Sequence, residues 1–418
     1  MSACLFRIFL GRSIFLGRNA GYGIFVRLLM LGLGSGLSYA ASISPTPVPP
    51  AIPAAFSLGL PAVVFPVDNS SSAAKVALGQ TLFFDRRFSR DGSVSCASCH
   101  QPNQAFADGR AVAQGVRLQS GTRNTPSLLN VAFNTSLFWD GRRTTLEEQA
   151  LDPLLNPREH DLADLPTLLK QLRQDPAYGQ AFQRAFGVKA SEIEPKHVGQ
   201  ALASFERTLI AADAPFDRYA FNGETSSLSA AAIRGLALFK GAAQCAVCHT
   251  IGPNDALLTD QQFHGLRVGL QRIEKNLPAL TMQLVEARRV GNNLDQTVLS
   301  REELAELGRF AVTLKPVDIA RFRTPSLRNV AVTAPYMHDG SVATLEEAVE
   351  LEIYYRGAEA GRPLILTPQE KADLVSFLAS LTSPAVRWLA AQMSEQKQKV
   401  SEMPIRFPSG QVPRPAKR

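Results

Sequence analysis

Cysteine is scarce in this chain. There are five among 418 residues, and Cys4 is the only one outside two copies of a single five-residue pattern. No thiol remains for a disulfide framework of the kind that staples small exported domains. Long apolar runs are also lacking. The longest near the N-terminus, Leu28–Leu37, is short and glycine-rich, which argues against a stable membrane span. Alternating strand-like patterns are few, which disfavours a β architecture. Nor is there a strong excess of charge. Lys and Arg number 44 against 37 acidic residues, and losing the four arginines of residues 1–40 would leave 40 against 37, a net +3. That balance gives no reason to expect nucleic acid as a partner.

What is present is Cys96-Ala97-Ser98-Cys99-His100 and Cys245-Ala246-Val247-Cys248-His249. In a CxxCH pattern the two thiols bond to the vinyl groups of a haem and the histidine supplies the proximal imidazole to its iron. Two covalent c-type haems are therefore expected. One structural zinc held by four cysteines is a weaker reading, because the pairs lie far apart and the two histidines would have no role.

The first 40 residues carry Arg7, Arg12, Arg18 and Arg27 and no acid, then the apolar run, then Ser38-Tyr39-Ala40. This is the pattern of a signal peptide cleaved near Ala40, so a periplasmic location without stable membrane insertion is expected. Residues 41–70 form a Pro-rich lead-in, 71–222 an N-terminal haem domain, 223–390 a C-terminal haem domain and 391–418 a loose polar tail. Helices are expected over 191–212, 229–239 and 367–381. Ser229 is a candidate N-cap for the second, and Thr367 with Glu370 forms a capping box for the third.

Thr125–Glu148 and Thr324–Glu347 form an internal repeat, identical at 13 of 24 aligned positions. Each copy follows its own CxxCH, the second after an insertion. The fold expected is all-α: two cytochrome c-like domains from an internal duplication, with their haems near a shared interface. The copies differ at informative places. Trp139 stands opposite His338, and Asn124 opposite Arg323.

The motifs CxxCH, RNTPSLLN, FWDGR and EEQA, a second CxxCH, FRTPSLRNV and APYMHDG span roughly residues 73–382. Together they resemble the bacterial dihaem cytochrome c peroxidase family. The resemblance implies that peroxide reacts at the N-terminal haem, with His100 as proximal ligand, Glu159 as distal carboxylate, Gln149 as distal glutamine and Trp139 between the haems. It implies Ca²⁺ held by Asn124 and the backbone carbonyls of Thr333 and Pro335, oxygen donors suited to a hard cation. The loop from Gln101 to Trp139 has no histidine, and Val116 stands where family peroxidases often place a resting distal ligand. This resembles the MauG-like branch and implies an open, five-coordinate N-terminal haem.

The C-terminal haem, proximal to His249, takes Met or Tyr as sixth ligand in the family. That ligand comes from the helix following His338-Asp339-Gly340, at a position that counting places on Glu352. The helix holds no Met. A tyrosine ligand is expected, Tyr355 or Tyr354, with Met337 and His338 as local alternatives. The resemblance implies a hydrogen peroxide-dependent oxidoreductase. Electrons would come from a small periplasmic cytochrome c or cupredoxin. The alternatives are MauG-like oxidation of Trp or Tyr on a protein substrate, and a non-enzymatic electron carrier.

Overall fold

The structure, a computed structural model, describes residues 56–359, 361 and 363–401. The expected signal peptide, the start of the lead-in and residues 402–418 lie outside the described residues. Seven helices matter here: α1 (Ala73–Phe84), α2 (Pro195–Glu206), α3 (Ala230–Lys240), α4 (Leu277–Arg289), α5 (Leu345–Glu359), α6 (Pro368–Ala379) and α7 (Ala385–Ser401). The fold is mainly helical. The named strands, β1 (Phe263–His264) and β2 (Phe322–Arg323), form one short antiparallel pair.

Local chemistry sets the helix starts. The Ser72 hydroxyl accepts from the Lys75 amide at 3.2 Å to open α1, and Ser229 does the same for Ala232 at 3.1 Å to open α3. At α6, Thr367 and Glu370 exchange hydrogen bonds as a capping box, and Pro368 occupies the first turn. The helix expected over 191–212 is shorter, because Pro195 starts α2 only after a separate turn at Ala190–Glu192.

The same crossing recurs in each half. In the first, α1 packs on α2, and Gly79 lies so near the Ala201 carbonyl that a Cβ there would overlap it. Phe83 and Phe205 pack beside this crossing, ring centroids 5.1 Å apart. In the second, α3 packs on α6, Gly235 meets the Asp373 carbonyl, and Phe239 and Phe377 lie 4.9 Å apart. Asn130 and Asn329, equivalent in the repeat, both take left-handed backbone, with φ of 61° and 62°. The amide of each is bonded to the Ala211 carbonyl.

Two boundaries differ from expectation. The tail predicted from 391 continues as helix α7 to Ser401. Moreover α7 leaves the second half and buries Ala385, Leu389 and Met393 in the first core, so that core does not end at residue 222. Its apolar face was hidden in a polar-rich sequence. Trp388 packs on Phe56 at 5.7 Å, and Gln80 Nε2 lies 3.0 Å from the Met393 sulfur.

The insertion in the second half forms its own small core from Ile273, Leu284, Leu304, Leu307 and Phe310. It lies against the first half: Arg123 donates to the Ala305 carbonyl and Arg158 to the Ser300 carbonyl, both at 2.6 Å.

Because the Gly79 crossing has no room for a methyl, Gly79→Ala is expected to destabilise the protein by about 1–3 kcal/mol, the usual range for overpacking. Denaturant unfolding of the haem-loaded protein checks this. An unchanged midpoint would mean the helices can separate freely.

Candidate active site

Each CxxCH forms a tight turn. Cys96–Cys99 is one helical turn closed by Ser95 and Ser98, and Cys245–Val247 is a 3₁₀ turn. None of these four cysteines is in a disulfide. His100 Nδ1 donates to the Phe106 carbonyl at 3.1 Å, and His249 Nδ1 to the Leu258 carbonyl at 2.9 Å. Such a bond fixes the tautomer and leaves Nε2 as the ligating nitrogen. The two accepting residues are fully buried and share a left-handed backbone, φ 58° at Phe106 and 55° at Leu258. Non-glycine residues are held there only by surrounding packing. Burial lowers the pKa of both imidazoles, that of His249 to about 4, so the rings stay neutral as iron ligation requires.

Two cavities result, one beside each proximal histidine. The first is lined by Cys99, His100, Trp139, Arg142, Gln149 and Glu159, among others. The second includes Cys245, Cys248, His249, His338 and the inner face of α5. They share a wall that contains Asn124, Asn134, Trp139 and Arg323. Backbone bonds stiffen this wall. Trp139 Nε1 donates to the Asn124 carbonyl at 2.9 Å, the Arg323 amide donates to the Trp139 carbonyl at 2.8 Å, and the Asn124 amide to the His338 carbonyl at 2.9 Å.

In the first cavity Glu159 sits deep in the protein but faces the open space. Asn156 Nδ2 donates to its Oε1 at 2.8 Å. Burial, with the negative charge of Asp295 added, pushes its carboxyl up to about 7. Gln149 ends the turn Leu146–Gln149 and lines the same space. Val116 is fully buried, and its amide donates to the Glu159 carbonyl at 2.9 Å. Among the described residues lining this cavity, His100 is the only histidine.

Sequence reasoning did not single out Arg142 or Asp295. Arg142 is almost fully buried, bonded to Asp295 at 2.6 Å and to both Asp140 oxygens at 3.1 Å, with its guanidinium 3.4 Å from the centre of the Phe138 ring. Asp295 and Leu299 come from the insertion, and Leu299 lines the cavity. The insertion of the second half thus roofs the cavity of the first. No local motif encodes that contact, and only the surplus length between the second CxxCH and its repeat hinted at it.

In the second cavity the expected tyrosines are displaced. The α5 residues lining it are Leu345, Ala348, Val349, Glu352, Ile353 and Arg356. That is one helical face, repeating every three to four residues. Neither Tyr355 nor Tyr354 belongs to it. Tyr354 is 69% exposed, and the two rings pack on each other 5.3 Å apart. The three-residue step from Glu352 carries Tyr355 to the flank of the face, because the cavity side is set by the row of Leu345, Val349 and Arg356. Glu352 is on the face itself, and burial raises its carboxyl to about 7. His338 Nε2 is bonded to Glu306 at 2.8 Å, with the ring stacked on Phe322.

The residues fit two haems. Beyond the paired thiols and neutral imidazoles, the Nε atoms of Arg323 and Arg356 are buried without a hydrogen-bond partner. Both arginines line the second cavity, and Arg323 lines the first as well. Burial lowers the pKa of Arg323 to about 10. A buried, underpartnered guanidinium calls for an anion, and a haem propionate is one. Asn124, Thr333 and Pro335 also line this cavity. The Asn124 amide nitrogen is engaged by the Arg110 and Ala111 carbonyls at 2.9 and 3.3 Å, so its oxygen is the atom left to bind a cation.

Comparison with known proteins agrees with this arrangement. The family model described as di-haem cytochrome c peroxidase matches residues 73–226. The chain is 37% identical over 326 residues to methylamine utilization protein MauG of Methylorubrum extorquens, covering 76% of this chain and 81% of that protein. It is 36% identical over 341 residues to cytochrome-c peroxidase IdrP1 of a Pseudomonas species, covering 77% and 84%. Among solved structures it resembles a MauG-like protein associated with microbial copper homeostasis, with a TM-score of 0.62 and 32% identity over 78% of this chain and 95% of that one. The chain belongs to the dihaem cytochrome c peroxidase family, in its MauG-like branch. It is a peroxidase-type oxidoreductase, and its family implies two c-type haems.

Replacing both Cys245 and Cys248 by Ala is expected to leave one covalent haem per chain where the wild type has two. Mass spectrometry and pyridine haemochrome absorbance give the count. Two haems retained in the variant would contradict the attachment assignment.

Proposed function

We propose that this chain is a periplasmic enzyme that reduces hydrogen peroxide in the cavity beside His100 and draws electrons through the cavity beside His249. The observation that carries the reading is Glu159: a carboxyl balanced near neutrality, in the same space as Gln149 and the proximal histidine. A haem bound there supplies the two-electron chemistry of O–O cleavage.

The protein's own groups handle protons, orientation and electron passage. The Glu159 carboxylate accepts the proton from the near oxygen of peroxide and returns it to the far oxygen, which leaves as water. Asn156 holds Oε1 of Glu159. The Gln149 amide orients the peroxide. The Arg142–Asp295 pair and Leu299 close the roof and keep bulk water out. Trp139 lies in the common wall, where its indole can pass an electron from the second site to the first. The repeat supports an ancestral duplication, after which the two halves took different tasks. Among the described residues no helix is long and apolar enough to cross a membrane. The electron donor in this reading is a small cytochrome c or cupredoxin.

One observation favours a second reading, MauG-like oxidation of Trp or Tyr on a partner protein. The first cavity contains no histidine besides His100, so no imidazole need be released before peroxide binds. Peroxide reactivity of the fully oxidised protein supports this second reading, and activity that appears only after half-reduction supports the first. Donor-coupled turnover distinguishes peroxide reduction from the second. A plain electron carrier would not react with peroxide at all.

Two measurements test the proposal. Glu159 must be ionised to accept a proton, so the rate of peroxide reaction should be low below pH 7 and rise as the carboxyl deprotonates through about 7. Glu159→Gln should remove that limb and slow the reaction by about 10²–10⁴-fold. Stopped-flow absorbance reads both, and an unaltered pH profile would dismiss Glu159 as the base. Calcium is assigned to Asn124, Thr333 and Pro335. Chelation should depress peroxide reactivity, added Ca²⁺ should restore it, and Asn124→Ala should resemble the chelated protein. Insensitivity to chelation, with no bound calcium by elemental analysis, would remove the ion.

A further inference from the structure

We propose that the Glu352 carboxylate is the sixth ligand of the C-terminal haem iron, on the side opposite His249. This rests on the reading above that a haem occupies that cavity. Among the described residues on the cavity face of α5, Glu352 is the one that can donate an electron pair to iron: Leu345, Ala348, Val349 and Ile353 are apolar, and Arg356 is a cation. The tyrosines that could have served are turned away, packed against each other at 5.3 Å.

The other donors around the cavity are engaged. His338 Nε2 is bonded to Glu306 at 2.8 Å and His264 Nε2 to Asp260 at 2.7 Å. The Tyr336 hydroxyl donates to the Val330 carbonyl at 3.1 Å. Met337 is the remaining soft donor. It lines the same cavity, and the spectra described below separate a His/Met haem from one ligated by Glu352.

A carboxylate placed this deep needs positive charge close by. Arg356, one turn along α5, supplies part of it and carries an electrostatic interaction with Glu352. A ferric iron supplies the rest. A hard anionic oxygen favours the higher oxidation state of iron over the lower one, the opposite preference from a thioether. The C-terminal site would therefore hold oxidising equivalents better than a Met-ligated haem would.

The test uses the full-length holoprotein and three variants: Glu352→Met, Glu352→Gln and Glu352→Ala. Each is first counted for haem. A loss of the second haem in the wild type would sink the haem assignment itself; two haems per chain isolate the ligand question. EPR and optical spectra of the oxidised protein, with potentiometric titration, then read the ligand. The wild type should lack the red charge-transfer band of a His/Met haem. Glu352→Met should create that band and shift the second potential upward. Glu352→Ala should open the face, so that added imidazole binds the second haem at least about tenfold more tightly than in the wild type. The N-terminal haem signals should stay constant throughout. A His/Met band in the wild type, or a second haem whose spectrum and potential are the same in all four proteins, would overturn the proposal.

Discussion

The shared wall between the two cavities is the constraint on which the rest depends. It is built from three stretches of chain, around Asn124, Trp139 and Arg323, locked by main-chain hydrogen bonds and by the bond from the Trp139 indole to the Asn124 carbonyl. Because side chains serve both cavities from one wall, neither site can move without the other. An indole placed in such a wall is a fixed bridge, with its position set by the Asn124 carbonyl at one end and the Arg323 amide at the other. Electron passage is sensitive to distance, so a rigid wall suits the proposed route through Trp139.

Each cavity also carries one buried carboxyl with its pKa raised to about 7, Glu159 in the first and Glu352 in the second. Burial is the main cause in both cases, but the surroundings differ. Glu159 has a neutral amide from Asn156, and the charges of Asp295 and Arg142 act on it in opposite senses. Glu352 has the cationic Arg356 one turn away. The same side chain in two duplicated frames is thus set toward different chemistry: a proton carrier in one and a charged donor in the other. The division of labour rests on neighbours more than on residue type.

Much of this was legible in the sequence. The CxxCH motifs, the caps at Ser229 and Thr367, and the repeat are local patterns, and local patterns survive into structure because they are decided within one turn of chain. The missing histidine between Gln101 and Trp139 was equally legible, whereas Val116 is buried and does not line the cavity. What could not be read was set by packing at a distance. The phase of α5 depends on which side the second core presses, so counting along the helix found Glu352 while a family expectation preferred tyrosine. Arg142 meets Asp295 across 153 positions of chain, and no spacing rule reaches that far. The start of helix α7 was assigned to the second half and its end to a polar tail, because nothing local shows that its apolar residues serve the core of the opposite half.

That last helix has a consequence for how the molecule is made. The core that surrounds the first haem site lacks Ala385, Leu389 and Met393 until nearly the whole chain has been synthesised. A polypeptide emerging from its N-terminus presents Cys96 and Cys99 early, in a half-built compartment whose closing helix arrives last. Haem attachment at the first site can therefore precede completion of the apolar core to which Ala385, Leu389 and Met393 belong.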